Sequence, residues 1–331
     1  MSLIEQLEKT ASEVDKYILS ILEGKPKILY EASSHLIRAG GKRLRPFLVI
    51  KSCEIFDCNI KKVIPAAAAL ELLHNFTLVH DDIMDHDLIR HGVPTVHAKY
   101  GIPLGIVAGD ILFIKVFESI ISGMQELKIS KSTIIKVLEL VVRSSIKVCE
   151  GQVRDLKMSS ERRFYSIKTY LEMIREKTGS LFETACRVGS VIGGAKNEDQ
   201  KAMAKFGRYL GIAFQLIDDT LGVAGDPKVT GKPVGSDLRE GKKTYALLMA
   251  IKLANQDDKF KIQKVFGKRE VKQKEMDEVL TIISKTGAVD KVRCKAQFYT
   301  DKAISILKRF PNSHSKETLL ELTHFIVTRN L

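Results

Sequence analysis

Apolar residues recur at helical spacing along almost the whole chain. Near the N-terminus, Leu3, Leu7, Val14 and Ile18 fall on one face of a helix, and Gly24 ends the run. Alternation with a period of two, which is typical of a half-buried strand, is sustained nowhere in the sequence. No segment of 20–50 residues is repeated along the chain. The pattern therefore predicts an all-α fold.

The spacing of apolar residues and of helix-stopping Gly and Pro residues places the helices. The predicted helices cover residues 3–22, 27–39, 44–57, 61–85, 103–124, 131–157, 166–193, 197–222, 243–256, 272–285, 288–310 and 315–329. The segment 86–102 is predicted as a loop, and 226–243 is too rich in Gly, Pro and charge for a helix. We expect these elements to form one domain over residues 1–331.

Three predicted helical segments are apolar on more than one face: residues 61–80, 103–117 and 181–195. A helix of this kind is either surrounded by other helices or lines a cavity. The apolar pattern alone fits a thick core as well as a cavity. The polar residues that follow these segments favour the cavity.

The formal charge of +13 indicates anionic partners, such as nucleic acid, a membrane surface or a phosphorylated substrate. A nucleic-acid-binding protein would carry a basic stripe with stacking aromatic side chains, whereas aromatic residues make up only 7% of this chain. No apolar run is long enough to span a membrane, and the N-terminus lacks the apolar core of a signal peptide. We therefore expect a phosphorylated substrate, no nucleic-acid partner and no membrane span.

The cysteines Cys53, Cys58, Cys149, Cys186 and Cys294 are odd in number and scattered, and they include no C-x-x-C pair. This spacing is typical of reduced thiols in a protein core and predicts neither a disulfide framework nor a zinc site. Reduced thiols in turn predict a cytoplasmic protein.

The stretch LELLHNFTLVHDDIMD, residues 70–85, starts as an apolar helix and ends in Asp81, Asp82 and Asp85. Positions four apart lie above each other on a helix, so Asp81 and Asp85 share a face. Carboxylates about 5–6 Å apart repel each other by roughly 3 kcal/mol at an effective dielectric constant near 20. A cation is therefore expected at this helix end.

A second apolar helix, GIAFQLIDDTLG at residues 211–222, contains the adjacent acids Asp218 and Asp219. Either acidic cluster alone also fits an ordinary solvated helix face. Two apolar helices that both carry adjacent aspartates indicate that the two clusters form two sides of one binding site. Carboxylate oxygens are ligands that suit Mg²⁺ or Mn²⁺. The sequence thus predicts an acidic opening that binds a diphosphate through magnesium, with an apolar interior behind it.

Basic residues that could face these acids occur at loops and helix ends. They are Lys42, Arg43 and Arg45 in GGKRLRP, then Arg90, Lys177, Lys232, Lys242 and Lys243. The two glycines of GGKRLRP let the backbone approach an anion, and arginine binds diphosphate oxygens with two hydrogen bonds. Neither a P-loop nor a G-x-G-x-x-G motif is present. Side chains and metal, not a glycine cradle, would therefore hold the phosphate groups.

With these motifs the chain resembles the trans-isoprenyl diphosphate (polyprenyl) synthases, and the archaeal-type geranylgeranyl diphosphate synthases above all. DDIMD at 81–85 is similar to the first aspartate-rich motif of the family, and FQLIDD at 214–219 to the second. GGKRLRP is similar to the site of the homoallylic diphosphate. The resemblance is dense from about residue 28 to 250 and weaker at both ends.

The resemblance implies a bundle of roughly ten or more helices around a deep cavity, usually in a homodimer. It implies head-to-tail condensation of isopentenyl diphosphate with an allylic diphosphate, assisted by about three Mg²⁺ ions, with Mn²⁺ as a substitute. The leaving diphosphate would take up the released proton, so no protein base is expected.

The resemblance also assigns roles to residues. The expected metal ligands are Asp81, Asp82, Asp85 and Asp218, with Asp219 close behind. Isopentenyl diphosphate would be bound by Lys42, Arg45 and His74, and the allylic diphosphate by Arg90, Lys177, Lys232 and Lys242. The residues along the allylic cation would be Thr178 and Gln215. Of these, Lys177, Thr178 and Gln215 are the expected catalytic residues.

The chain departs from the family pattern at two positions. His91 stands where the family usually has an arginine that touches isopentenyl diphosphate, and an imidazole there is only partly charged near pH 7. Gly222 stands where many members have a third aspartate, which predicts slower rates at most.

Product length is predicted from Phe76, which lies five residues before Asp81 and about 7–8 Å deeper along the helix. An aromatic residue there, with the small Thr77 beside it, resembles the family rule for a C20 product. A core role for Phe76, and a farnesyl or longer-chain product, are the alternatives.

Two rival functions share part of the pattern. A class I terpene cyclase would lack GGKRLRP and would normally have an Asn/Ser/Glu second metal motif. A non-catalytic partner subunit of a heteromeric synthase tends to lose one aspartate motif, and both are present here.

Overall fold

The computed structural model describes residues 1–224, 235–268 and 270–328. Its helices, in chain order, are α1 (Leu3–Ile21), α2 (Lys27–Arg38), α3 (Leu44–Glu54), α4 (Ile64–Asp85), α5 (Val96–Tyr100), α6 (Ile102–Glu118), α7 (Met124–Glu126), α8 (Lys131–Ser160), α9 (Ile167–Ile174), α10 (Ser180–Ile192), α11 (Asn197–Ala224), α12 (Ser236–Arg239), α13 (Tyr245–Leu253), α14 (Gln256–Val265), α15 (Gln273–Lys285), α16 (Ala288–Leu307) and α17 (His314–Thr328). The prediction of an all-α fold with ten or more helices is confirmed.

Shorter elements complete the described chain. A 3-10 turn covers Ile60–Lys62, and π-helical turns cover Ser119–Gly123 and Arg175–Gly179. The strands β1 (Ile89–Arg90) and β2 (Val93–Pro94) pair in an antiparallel hairpin. The hairpin and α5 occupy the segment 86–102, which the sequence pattern predicts as a loop without structure of its own.

The sequence pattern also misses α14. Its sequence, QDDKFKIQKV, is dominated by charge, and of its residues Ile262 and Val265 are buried. Asn255 marks the start of this helix, because its side chain accepts a hydrogen bond of 2.8 Å from the backbone of Asp258. The capping signal is thus present in the sequence, but the apolar face is too narrow to stand out.

The chain divides into two compact units. The first contains Met1–Ser145, Leu181–Gly207 and Ile306–Glu321, and the second contains Ile146–Ser180, Arg208–Ser305 and Leu322–Leu331. The boundaries fall inside helices that the apolar pattern predicts as continuous.

In the first unit, α4 packs against α1, α3, α5 and α6. Its alanines at 66–69 are fully buried, because their small side chains let the neighbouring helices approach closely. The contact with α6 is equally tight: a Cβ atom on Gly109 would lie 2.1 Å from Nε2 of His80. This close packing fixes the C-terminal half of α4, which carries the first acidic cluster.

In the second unit, one apolar cluster joins α9, α11, α13, α14, α15 and α16. Among its buried members are Tyr170, Leu216, Leu247, Ile262 and Ile283. The cluster holds α9 and the second half of α11, which carries the second acidic cluster, in fixed positions.

The expectation of five reduced core thiols is wrong. Cys53 and Cys58 form a disulfide, and their Cα atoms are 5.3 Å apart. The turn after α3, where Asp57 has φ 55°, folds the chain back and brings the two thiols together. Cys149 and Cys294 are exposed, and only Cys186 is a buried free thiol.

Within the described residues, no helix has the length and apolar character that crossing a membrane requires.

Candidate active site

The first acidic cluster lies at the C-terminal end of α4, where His86 with φ 58° ends the helix. Asp81 and Asp85 are partly exposed, whereas Asp82 has no exposed surface. The backbone carbonyl groups at a helix C-terminus add negative potential to that of the carboxylates. The end of α4 therefore carries a negative potential that attracts cations.

Asp82 turns away from the other two acids and binds Arg90 on β1. Its Oδ1 accepts a hydrogen bond of 2.5 Å from Nε of Arg90, and Arg90 also contacts Asp87 at 3.4 Å. Burial raises the pKa of Asp82 to about 6, although Arg90 opposes the shift. Oδ2 of Asp82 is buried with no hydrogen-bond partner among the described residues.

The hairpin carries His91 at its tip. His91 and Gly92 have φ values of 50° and 77°, the left-handed pair that a two-residue hairpin turn requires. Cε1 of His91 lies 3.9 Å from where a Cβ atom of Gly41 would be. The structure thus brings His91 beside the GGKRLRP loop, as the sequence predicts.

His74 of α4 belongs to the same neighbourhood. Burial lowers the pKa of His74 well below its ordinary value, and the positive charges of Arg45, Arg90 and His91 lower it further. The imidazole is therefore neutral near pH 7. It can donate an N–H to an anion without adding positive charge.

The predicted cations of GGKRLRP differ in exposure. Lys42 is exposed, and Arg45 is half-buried with its guanidinium carbon 5.2 Å from the ring centre of Phe182. Arg43, between them, is buried and bonded to acidic residues of the first unit. Lys42 and Arg45 thus remain the candidates for binding phosphate.

Phe76 begins a row of aromatic rings in the first unit. Its ring centre lies 4.8 Å from that of His80 and 4.9 Å from that of Phe113 on α6. Phe113 in turn lies 5.2 Å from Phe117. The predicted chain-length residue is therefore part of a row of rings contributed by two helices.

The second acidic cluster forms a hydrogen-bonded chain in the second unit. Tyr170 donates to Oδ2 of Asp219 at 2.5 Å, and Gln215 donates to Oδ1 at 2.6 Å. The hydroxyl group of Thr178 donates to Oε1 of Gln215 at 2.7 Å. Burial, followed by the charge of Asp237, raises the pKa of Asp219 to about 7. Asp218 is exposed on the same helix.

Lys177 and Thr178 lie in the π-helical turn Arg175–Gly179, inside the segment 166–193 that the sequence pattern predicts as one helix. Nζ of Lys177 contacts Oδ2 of Asp155 at 2.7 Å. Gly151 of α8 lets this turn approach, since its Cβ would lie 2.4 Å from the backbone nitrogen of Lys177. Wide turns of this kind are frequent at functional sites.

The remaining predicted cations lie near α12. Lys242 contacts Glu240 at 2.7 Å. Lys243 is buried and donates to the backbone carbonyl groups of Met158 and Glu161. Lys243 therefore caps the end of α8, while Lys232 lies outside the described residues.

Three residues of these neighbourhoods are absent from the prediction: Asp155, Tyr170 and Asp237. Asp237 is the most informative, because a Cβ atom on Gly222 would lie 2.3 Å from its Oδ2. A carboxylate thus stands beside the position where many relatives have a third aspartate. Nothing in the local sequence around Asp237 predicts this contact, because it depends on the tertiary packing of α12 against α11.

The acidic clusters suit a hard metal ion. They supply only oxygen donors, and the orphaned Oδ2 of Asp82 adds to the negative charge at the end of α4. Among the described residues, no group of three or more His, Cys, Asp or Glu side chains is arranged so that it could hold a metal ion by itself.

Comparison with known proteins identifies the family. Residues 26–283 match the family described as polyprenyl synthetase. A geranylgeranyl diphosphate synthase of Sulfolobus acidocaldarius is 42% identical over 90% of this chain and 89% of its own length. A short chain isoprenyl diphosphate synthase of Methanocaldococcus jannaschii is 41% identical over 84% of this chain and 81% of its own length.

Solved structures agree with the sequence relatives. The crystal structure of geranylgeranyl pyrophosphate synthetase from Pyrococcus horikoshii superposes with a TM-score of 0.92 at 40% identity, covering 99% of this chain and 98% of that one. Because these matches span most of the chain, the protein belongs to the polyprenyl synthetase family and is a trans-prenyltransferase.

Proposed function

We propose that the protein condenses isopentenyl diphosphate with allylic diphosphates and makes all-trans geranylgeranyl diphosphate, the C20 product, in one synthase domain over residues 1–331. The aromatic row of Phe76, Phe113 and Phe117 carries this proposal. Phe76 lies about 7–8 Å below Asp81 along α4, and Thr77 beside it is small. A growing chain would meet the aromatic wall at that depth and stop.

Enzymes of this family are generally metal-dependent, and we propose Mg²⁺, about three ions per active site, with Mn²⁺ as a substitute. Asp81, Asp85 and Asp218, which are partly or fully exposed, would be direct ligands. The buried Asp82 would reach a metal only if its bond to Arg90 opened, and otherwise orients Arg90. The bound ions would stabilise the negative charge that develops on the leaving diphosphate.

Isopentenyl diphosphate would be bound by Lys42, Arg45, His74 and His91. Arg45 offers planar, two-bonded contact with phosphate oxygens, and Lys42 offers a flexible charge. His74 would bind as a neutral N–H donor, because its pKa is well below the ordinary value.

The allylic substrate would be held by Arg90, Lys177, Lys242 and, outside the described residues, Lys232. The oxygens of Thr178 and Gln215 would stabilise the allylic cation through their dipoles. Their mutual hydrogen bond and the bond from Gln215 to Asp219 fix both side chains in one orientation.

The double bond of isopentenyl diphosphate would form the new carbon–carbon bond and leave a tertiary cation, and the carbon between this cation and the diphosphate-bearing carbon would then lose one proton. The departing diphosphate carries the charge needed to take this proton, so the enzyme needs no base of its own. The neutral His74 would hold substrate and leave the proton to the diphosphate.

An apolar strip on α6 supports the expected homodimer. Ile102, Ile106, Val107 and Ile114 are between 44% and 58% exposed. Contiguous exposed apolar residues of this size are typical of a protein–protein interface. Ile114→Glu should convert a dimer to a monomer in sedimentation experiments. The cytoplasmic location expected from the sequence stays a prediction.

Product analysis tests the proposal. The protein is incubated with Mg²⁺, isopentenyl diphosphate and either dimethylallyl, geranyl or farnesyl diphosphate, and both pyrophosphate release and product length are measured. We expect C20 diphosphate from every starter and loss of activity with EDTA. A cyclic hydrocarbon would indicate a terpene cyclase, and the absence of pyrophosphate release would indicate a non-catalytic subunit.

A further inference from the structure

The guanidinium group of Arg43, within GGKRLRP, is fully engaged inside the first unit. Nε and Nη2 donate to the two carboxylate oxygens of Asp15 at 2.7 and 3.1 Å. Nη1 donates to Glu71 at 3.2 Å and to the carbonyl group of Gly40 at 3.1 Å, and Nη2 donates to the carbonyl group of Ile37 at 2.7 Å. These contacts use all five N–H donors of arginine. We call Arg43, Asp15 and Glu71 the clasp.

The loop is shaped around this guanidinium group. Arg43 has φ 46°, a left-handed conformation that costs a residue with a side chain energy and persists only where the surroundings enforce it. A Cβ atom on Gly41 would lie 2.8 Å from Nη1 of Arg43. Gly41 therefore serves the clasp as well as the approach of an anion.

Through the clasp, Arg43 is bonded to groups from three helices. Asp15 lies in the middle of α1, the carbonyl groups of Ile37 and Gly40 lie at the end of α2, and Glu71 lies on α4. Glu71 is held in turn by Asn75, whose amide donates to it at 3.1 Å. Glu71 precedes His74 by three positions, so one helical turn separates the clasp from His74.

The charges within the clasp are paired, and this pairing fixes the position of Arg43. Arg43 has 4% of its surface exposed, and Asp15 and Glu71 together supply two negative charges to it. A buried cation with this many partners is fixed in place. The backbone on both sides of Arg43 is fixed with it, and this backbone carries Lys42 and Arg45.

We infer that Asp15 and Arg43 are positioning residues for isopentenyl diphosphate: the clasp holds Lys42 and Arg45 in the geometry that binds the homoallylic diphosphate. The inference rests on the proposed function. Asp15 lies outside residues 26–283, which match the family, so this role comes from the N-terminal helix α1. Neither residue touches substrate.

Binding of isopentenyl diphosphate alone, measured by titration calorimetry, tests the inference without turnover. We expect Asp15→Asn to weaken this binding about tenfold and to raise KM for isopentenyl diphosphate by the same factor. KM for farnesyl diphosphate should change less than twofold. Asp15→Glu, which keeps the charge, should recover most of the affinity.

Lys316→Met is the matched control for Arg43→Met. Lys316 is also a buried cation of the first unit, and its Nζ donates to the carbonyl group of Phe310 and to Asn312. Both variants should lower the melting temperature, but only Arg43→Met should weaken the binding of isopentenyl diphosphate.

The outcomes separate the inference from the proposed function. If the wild-type protein binds isopentenyl diphosphate and the Asp15 variant binds it equally well, the clasp has no positioning role while the proposed function stands. Equal loss of binding in Arg43→Met and Lys316→Met would also overturn the inference, because general destabilisation would explain it. A wild-type protein that neither binds nor converts isopentenyl diphosphate would refute the proposed function itself.

Discussion

Nε of Arg90 lies 2.5 Å from Oδ1 of Asp82, and this contact ties the hairpin to the end of α4. The carboxylate of Asp82 has no exposed surface, and burial raises its pKa to about 6. Without the positive charge of Arg90 the pKa would be higher still. The first acidic cluster and the hairpin therefore behave as one electrostatic unit.

Replacing Arg90 by glutamine should destabilise the protein more at pH 8 than at pH 5.5. At the lower pH Asp82 can bind a proton, whereas at pH 8 an uncompensated buried carboxylate costs about 3–5 kcal/mol. Urea unfolding at both pH values, in the absence of divalent ions, measures the difference. In the double variant with Asp82→Asn the extra loss at pH 8 should disappear, and a loss independent of pH would contradict the pairing.

Gly109→Ala should destabilise the protein by about 1–3 kcal/mol through overpacking against His80. Helix propensity alone predicts the opposite, a gain of about 0.5–1 kcal/mol for alanine over glycine in a helix. The clash decides, because the new Cβ would lie 2.1 Å from Nε2 of His80, and this ring is held by the carbonyl group of Ile106 at 3.0 Å and by the ring of Phe76. Thermal unfolding of Gly109→Ala and of the double variant with His80→Ala measures both effects, and the double variant should recover stability relative to Gly109→Ala.

Phe76→Ala should lengthen the product beyond C20, because it removes the first ring of the aromatic wall. Phe113, 4.9 Å from Phe76, should then limit the further growth. The double variant Phe76→Ala/Phe113→Ala should therefore make longer chains than Phe76→Ala alone. Chromatography of the dephosphorylated products measures the lengths. The buried Phe206 of the same unit provides the control, since Phe206→Leu should leave the product at C20.

The helical pattern predicts most of the fold because the apolar faces are long and uninterrupted. Helices α1, α4 and α11 are recovered within a few residues. The pattern fails where a short element depends on tertiary contacts or caps: α14 has only two buried residues, and the hairpin around His91 and Gly92 depends on two left-handed residues. The Cys53–Cys58 pair is missed for the same reason, because a turn brings the thiols together.

Some residues of the candidate site are likewise predictable from the sequence, and others are not. Residues within recognisable motifs, such as Asp81 and Lys42, are predicted from the sequence, and the structure places Arg45, His74, Arg90 and His91 in one neighbourhood. Partners outside the motifs are not predictable, because Asp15 or Tyr170 looks like any other helical residue. The direction of a side chain is also hidden: Arg43 and Lys42 are adjacent, but one is buried and the other exposed.

Asp219→Asn should make the free energy of unfolding depend less on pH between pH 4 and 7. The pKa of Asp219 is about 7 in the folded protein, against an ordinary value of about 3.9 in an unfolded chain. Between these values the folded state keeps a proton that the unfolded state has released, so the free energy of unfolding falls as pH rises. The fall amounts to at most about 4 kcal/mol.

Urea unfolding from pH 4 to 8 in EDTA measures this contribution as the difference between wild type and variant. Tyr170→Phe offers a second test, because the hydrogen bond from Tyr170 lowers the pKa of Asp219. Its removal should extend the fall in stability to higher pH. A wild-type and an Asp219→Asn curve that run parallel would show that Asp219 is ionised throughout this range.

The last prediction concerns His91, which lies where the family usually has an arginine. Partial desolvation lowers the pKa of His91 below its ordinary value, and the positive charges of Arg90 and Arg43 lower it further. The imidazole of the free enzyme therefore becomes charged only at pH values below the ordinary titration range of histidine. A charged imidazole beside Gly41 would attract the diphosphate of the substrate, so KM for isopentenyl diphosphate should rise with pH until the imidazole is neutral.

The His91→Arg variant keeps its charge across this range, so its KM should be lower near pH 7 and should rise less steeply with pH. The substitution suits the backbone, because Arg43 shows that arginine adopts the left-handed conformation of position 91 elsewhere in this chain. Initial rates from pH 5.5 to 8 at saturating farnesyl diphosphate measure both profiles. The ionisation of the substrate affects both proteins equally and cancels in the comparison. Two profiles of the same shape would mean that His91 does not contact the diphosphate.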